Sequence, residues 1–245
     1  MMENIYCFCA ILLVTFSHLG RCVPVQNGDN SFDYLLFDQH WPITECLHWK
    51  GLNDSNYCSL PKEPNAFNVH GLWPTKTGTT GPHSCSSQPK FDRKALDPIL
   101  TRLKQRWMNV HGGTDDYSFW AHEWNKHGTC AKVLEPFNTE VKYFNSTLDL
   151  NSFYDIYGAL TDYGITPGDQ FYAIDDILTA IMRKFGKTPQ IYCIFSGKQA
   201  QLHSVKLCFD KNINLIDCSS VGVKARNCED RKTLRYLRKL PGGKW

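Results

Sequence analysis

The sequence predicts an α+β fold, and three observations predict it. Short stretches rich in aromatic and branched residues, with strand character, are interspersed with longer stretches of helical periodicity. The two kinds follow one another without the regular βαβ beat that a parallel sheet requires. The chain of 245 residues, 42% hydrophobic and 21% charged, has the length and composition of a globular chain with one large domain, or at most two small ones.

The elements are justified in order along the chain. Residues 34–41 (YLLFDQHW) read as a strand closed by Pro42. Residues 66–70 (AFNVH) read as a short strand stopped by Gly71 and Pro74. Gly, Pro, Ser and Thr crowd residues 75–90, which predicts a long surface loop. Residues 96–110 read as a helix, with Ile99, Leu100, Leu103 and Trp107 at helical spacing. Further helices are predicted over 118–131, 151–163 and 174–185, and strands over 190–195 and 205–209.

The ends of the chain differ from its body. Residues 5–16 (IYCFCAILLVTF) form an apolar run of signal-peptide size, followed by small and polar residues. A signal peptide over 1–22 is expected, with cleavage between 17 and 24. No internal stretch approaches the ~18 apolar residues of a membrane span. Residues 229–245 hold six basic and two acidic residues, against 21 basic and 22 acidic in the rest. The net charge of +3 therefore resides in a basic C-terminal tail. On a helical wheel Arg231, Lys232, Arg235, Arg238 and Lys239 share one arc and Leu234, Tyr236, Leu237 and Leu240 another. That pattern suits contact with a polyanion or a membrane surface, or an ordinary helix packed on the body.

Of the 11 cysteines, Cys7, Cys9 and Cys22 belong to the signal segment or its edge. The remaining eight are Cys46, Cys58, Cys85, Cys130, Cys193, Cys208, Cys218 and Cys228. An even set spread along the chain fits four disulfides in an oxidising compartment. No C-x-x-C pair favours zinc. Sequons at Asn53 and Asn145 are compatible with glycosylation there.

The segment FWAHEWNKHGTC, residues 119–130, carries the most chemistry. With His122 at zero on an α-helix, Glu123, Lys126 and His127 fall at about 100°, 40° and 140°. Trp120 and Trp124 fall on the opposite side and can anchor the helix. Histidines at i and i+5 break the H-E-x-x-H spacing of zinc peptidases. A solvated face with a Glu123–Lys126 ion pair is one reading. Phosphoryl chemistry is the other: a neutral histidine accepts a proton, and cations meet charge developing on phosphate oxygens. A third histidine, His70, lies in FNVHGLWP on the face of its strand opposite Val69 and Phe67.

Together these two segments resemble the ribonuclease T2 family, which carries F-x-x-H-G-L-W-P and then F-W-x-H-E-W-x-K-H-G-T-C. The resemblance runs from about residue 34 to Cys228, includes Trp41, Pro42 and Cys46, and is nearer the animal branch. It implies a single domain over 23–228 with a mainly antiparallel central sheet and flanking helices. It implies metal-independent cleavage of single-stranded RNA, with no cofactor. The ribose 2′-OH attacks the adjacent phosphorus and leaves a 2′,3′-cyclic phosphate. His127 is then the base and His70 the acid. Glu123 and Lys126 polarise the phosphate, with Lys126 as partner of Glu123, and His122 holds the phosphate. Trp73 stacks on a base or packs under Pro74. Thr75 stands where many members carry Asp, so base preference does not carry over. Activity at mildly acidic pH and a monomeric state are expected. The resemblance also implies the pairs Cys46–Cys58, Cys85–Cys130, Cys193–Cys228 and Cys208–Cys218. A different class of function, a secreted glycoprotein that uses the fold for binding, would retain the fold without needing both histidines. Extracellular release and a lysosome-like compartment are both compatible with secretion.

Overall fold

The computed structural model describes residues 31–61 and 64–241. The expected signal segment, residues 1–22, and Lys244 lie outside them. The chain folds as β1 (Tyr34–His40), α1 (Pro42–Leu52), β2 (Asn68–Thr75), α2 (Leu100–Arg106), α3 (Asp116–Glu123), α4 (Thr129–Ala131), α5 (Glu140–Phe153), α6 (Ile156–Thr161), β3 (Phe171–Ala173), α7 (Ile174–Phe185), β4 (Gln190–Ser196), β5 (Gln199–Phe209), β6 (Leu215–Ile216), β7 (Arg226–Asn227) and β8 (Thr233–Arg235). This is an α+β architecture built on one sheet.

The main path of that sheet runs β2-β1-β5-β4-β7. Its three long pairings, β1 with β2, β1 with β5 and β4 with β5, are antiparallel. Strand β5 is buried along nearly all its length, which places it at the centre of the core. Among the described residues four disulfides tie the fold: Cys46–Cys58, Cys85–Cys130, Cys193–Cys228 and Cys208–Cys218.

Several elements depart from their expected limits, each for a physical reason. Strand β2 passes through Gly71 and Pro74 instead of stopping there. It is the end strand of the path, where a proline lacking an N–H costs no ladder bond on the open side. Pro42 closes β1 as expected but also opens α1, where its fixed φ suits the first turn. The helix expected over 96–110 is a 3-10 turn, Arg93–Ile99, followed by a short α2, because Pro98 sits inside it. The helix expected over 151–163 is split at Tyr154–Asp155, and α5 precedes the split. Asp155 caps α6 by accepting from the Gly158 N–H at 3.1 Å. Helix α7 matches its expected span. Ile174, Ile177, Ala180 and Ile181 are buried, and Gly186 closes it at φ 81°.

The C-terminal segment is not a helix. Thr233–Arg235 is extended, pairing antiparallel with β3 and touching β5 in parallel. Leu234, Tyr236, Leu237 and Leu240 are buried in the core. The Trp41 indole donates to the Leu237 carbonyl at 2.7 Å. The apolar residues are thus spent on packing, and Arg231, Lys232, Arg238 and Lys239 remain exposed.

Candidate active site

The site forms where β1, β2, β5 and the helical run from Asp116 meet. That run begins with Asp115 capping the Tyr117 N–H and is anchored by the fully buried Trp120 and Trp124. It is not a plain α-helix. Residues Trp124–Gly128 form a π turn, with the Thr129 N–H reaching back five residues to the Trp124 carbonyl. Such a turn takes in an extra residue and is common at functional sites. It rotates His127 back towards the arc of His122, where an α-helix would set them about 140° apart.

The charged arc of this helix is only partly solvated. Glu123 is 2% and His127 6% exposed, Lys126 is half-buried, and His122 is exposed. The Glu123–Lys126 ion pair is replaced by a different contact. Glu123 Oε2 accepts from the Trp73 indole N–H at 2.9 Å, and Lys126 acts on Glu123 only through its charge. Burial pushes the Glu123 carboxyl up to about 7, against the pull of His70, Trp73 and Lys126.

Gly71 makes that contact possible. A Cβ on it would lie 2.2 Å from both Glu123 Oε2 and Trp73 Nε1. Only a residue without a side chain admits the Trp73–Glu123 bond across this point of β2.

Trp73 lies between the two histidines. Its ring centroid is 5.0 Å from His70, edge-on, and 5.4 Å from His127. Thr75, where a contact to a base is expected, is buried, and its hydroxyl donates to the Trp73 carbonyl at 2.9 Å.

His70 reaches its position through a β-bulge. Opposite β1, Asp38 faces Gly71 and the next residue, Gln39, faces Val69. His70 is the extra residue, and bulges re-aim side chains in this way. Its carbonyl accepts from the Trp107 indole at 3.1 Å, and its Nδ1 is 3.1 Å from Asp38 Oδ2. Burial alone would lower the His70 pKa, but the hydrogen bond and charge of Asp38 carry it up to about 9. His127 is set in the opposite direction. Burial first, then the charges of Lys126 and His83, push it down to about 3.

Several neighbours escaped the sequence reading. Asp38 follows the apolar run Tyr34–Phe37 and opens the polar end of β1, Asp38-Gln39-His40, a charged residue in a strand read as buried, which is the signal that could have singled it out. Phe119 packs 6.1 Å from His70, and His83 lies edge-on to His127 at 5.6 Å. His83 belongs to the loop tethered to the helix by Cys85–Cys130. A cleft of about 180 Å³ opens beside His70, lined by His40, Glu45, Asn109, Val110, His111 and Phe119 among others. Glu45 bridges two histidines there, His111 at 2.7 Å and His203 at 2.5 Å. Among the described residues, no group of three or more His, Cys, Asp or Glu side chains is arranged to hold a metal ion.

Fold, site and comparison with known proteins converge on one class, the endoribonucleases. The profile of the Ribonuclease T2 family matches residues 32–218, and the chain belongs to that family. It is 32% identical to Ribonuclease Oy of Magallana gigas over 210 residues, 84% of this chain and 96% of that protein. It is 34% identical to Ribonuclease T2 of Sus scrofa over 201 residues, 80% and 92% of the two chains. The crystal structure of human RNase T2 superposes with a TM-score of 0.69 at 28% identity, covering 84% of this chain and 99% of the other. RNase NT in complex with 5′-AMP superposes with a TM-score of 0.72 at 27% identity, covering 84% and 98%.

Proposed function

We propose that the protein cleaves single-stranded RNA without metal, by attack of the ribose 2′-OH on the adjacent phosphorus. His127 takes the 2′-OH proton and His70 protonates the leaving 5′-oxygen. The observation that carries this reading is the opposite setting of the two histidines on either side of Trp73. A base must be neutral and an acid protonated at the same pH. His127, pushed down to about 3, and His70, carried up to about 9, meet both conditions across the range between.

The surrounding groups supply the remaining needs. Lys126 and His122 place positive charge and donors where the phosphorane-like transition state gathers negative charge. Glu123, with its carboxyl near 7, is largely protonated below neutrality; above it the Trp73 indole N–H and the charge of Lys126 meet the carboxylate, so it can sit beside a phosphate on either side of neutrality. The cleft beside His70 has room for part of a nucleotide, with Phe119 and His111 as aromatic walls. No base preference is assigned, since Thr75 spends its hydroxyl inside β2.

The reading includes secretion, supported by the apolar segment near the N-terminus and the eight paired cysteines. Asn53 is the more accessible glycan acceptor, exposed just beyond α1. Asn145 is engaged with Arg102 at 2.7 Å, and the Thr147 of its sequon is buried.

The test is RNA cleavage in EDTA by the wild type and by His70→Phe and His127→Phe. The wild type is expected to retain activity and both variants to lose it. Full activity in either variant overturns the assignment of acid and base. Loss of wild-type cleavage in EDTA overturns metal independence.

A further inference from the structure

Strand β1 is buried along nearly its whole length, and an aspartate in such a strand is costly unless its charge is met. Asp38 is 3% exposed. Two strands meet it from opposite sides. From β2 the bulge delivers His70, whose Nδ1 lies 3.1 Å from Oδ2. From β5 comes Lys206, the register partner of Asp38, with Nζ 4.0 Å from the same oxygen. Lys206 is itself held in place, with Nζ 4.7 Å from the Tyr192 ring centre and 5.5 Å from that of Trp73.

We propose that Asp38 is a positioning residue for His70: kept ionised by Lys206, it accepts the Nδ1–H and leaves Nε2–H to serve the leaving oxygen. The inference rests on the ribonuclease reading for the identity of the acid, and goes beyond it in naming what orients and charges that acid. The two imidazole nitrogens are not equivalent once one is committed. A carboxylate on Nδ1 fixes both the tautomer and the ring's direction. The Trp107 indole on the His70 carbonyl fixes the main chain at the same residue. Ring and backbone are thus held from two sides.

Other charges face His70, and none replaces Asp38. From β1, His40 lies 5.5 Å away ring to ring and is pushed down to about 3 by burial, so it is neutral. From α1 and α3, Glu45 and Glu123 raise His70 through their charges alone. His122 and His127 face it from the helical run as further titratable groups. Burial works to raise the Asp38 carboxyl, but the charge of Lys206 and the bond to His70 hold it well below the usual carboxylate range. Without the charge on Asp38, burial would take His70 to its ordinary value or below. Cleavage by this chain is therefore expected to persist above neutrality, beyond the mildly acidic range that the family resemblance implied.

The experiment is the pH profile of kcat/KM for the wild type and Asp38→Asn, with an imidazole NMR titration of the wild type alongside. The asparagine keeps an acceptor for Nδ1–H and removes the charge. The alkaline limb should move from about 9 in the wild type to about 6.5 or lower in the variant. The variant should then match the wild type within about 2-fold at pH 5 and fall at least ~50-fold below it at pH 8.5. A loss of equal size at every pH would assign Asp38 a structural role only and overturn the proposal. The NMR titration needs no variant of Asp38: His70, identified by the resonance missing from His70→Phe, should titrate near 9. Titration of His70 near 6.5 would overturn the proposal. A wild type that cleaves no RNA would refute the ribonuclease mechanism, and the NMR titration would still decide the Asp38–His70 pairing.

Discussion

Replacing Gly71 by alanine tests how the site is assembled. The new Cβ would sit 2.2 Å from both Trp73 Nε1 and Glu123 Oε2, far inside any tolerated contact. The indole is rigid and Glu123 is buried, so the 2.9 Å hydrogen bond between them cannot survive. Losing a hydrogen bond to a charged group costs about 1.5–3 kcal/mol. Crowding a packed interior adds about 1–3 kcal/mol. The smaller freedom of an alanine in the unfolded chain gives back about 0.4–1 kcal/mol. A net loss of about 3 kcal/mol corresponds to a Tm lowered by about 6–12 °C in a domain of this size. Because Trp73 spaces His70 from His127, kcat/KM should fall at least ~10-fold as well. The assay is thermal unfolding at pH 8, where Glu123 is ionised, together with RNA cleavage on the folded variant. A Tm within about 1 °C of wild type and unchanged cleavage would refute the claim that Gly71 is required by the Trp73–Glu123 contact.

Three further outcomes follow from the structure. Glu123 holds its proton more tightly in the folded state, near 7, than in the unfolded chain, near 4.5. Its contribution to stability is full below about 4.5 and is lost as pH rises through 7. Glu123→Gln keeps an acceptor for Trp73 and removes the titration, so it should equal the wild type in stability at pH 4.5 and exceed it by up to about 3 kcal/mol at pH 8, while losing activity. A stability difference that is flat with pH would contradict burial as the cause. At the C-terminus, deletion of residues 231–245 should prevent folding, because Leu234, Tyr236 and Leu237 belong to the core. The double variant Arg238→Gln, Lys239→Gln should keep its Tm within about 1 °C and lower the salt slope of RNA binding by about 1–2. An unchanged slope removes these cations from RNA binding.

The α+β class was legible because strand-like and helix-like stretches alternate irregularly, β1 through its aromatic and branched residues and α7 through its helical period. Other elements were not legible for identifiable reasons. Helix α5 buries Glu140, Tyr143, Phe144, Thr147, Leu148 and Asn151, a regular helical face. Half of that face is polar, so hydrophobic spacing alone does not reveal it. The C-terminal segment buries Leu234, Tyr236, Leu237 and Leu240, a spacing that a helix or an extended chain can satisfy. Pairing with β3 decides for extension, and that pairing is not written locally. The site divides in the same way. His70, Trp73, Glu123, Lys126 and His127 stand in two recognisable segments, and the structure brings those segments together. The π turn that alters the helical phase leaves no trace in a wheel drawn at a fixed angle. Asp38 and Lys206 sit 32 and 136 residues from His70 and join it only through strand register.

The central claim is that the ribose 2′-OH is the nucleophile, activated by a neutral His127 and answered by a protonated His70. The measurement that tests it most directly is the chemical identity of the new ends, read by mass spectrometry of a short single-stranded RNA cut in EDTA. The account predicts a 2′,3′-cyclic phosphate on one fragment and a free 5′-hydroxyl on the other. Fragments that carry a 5′-phosphate would contradict it.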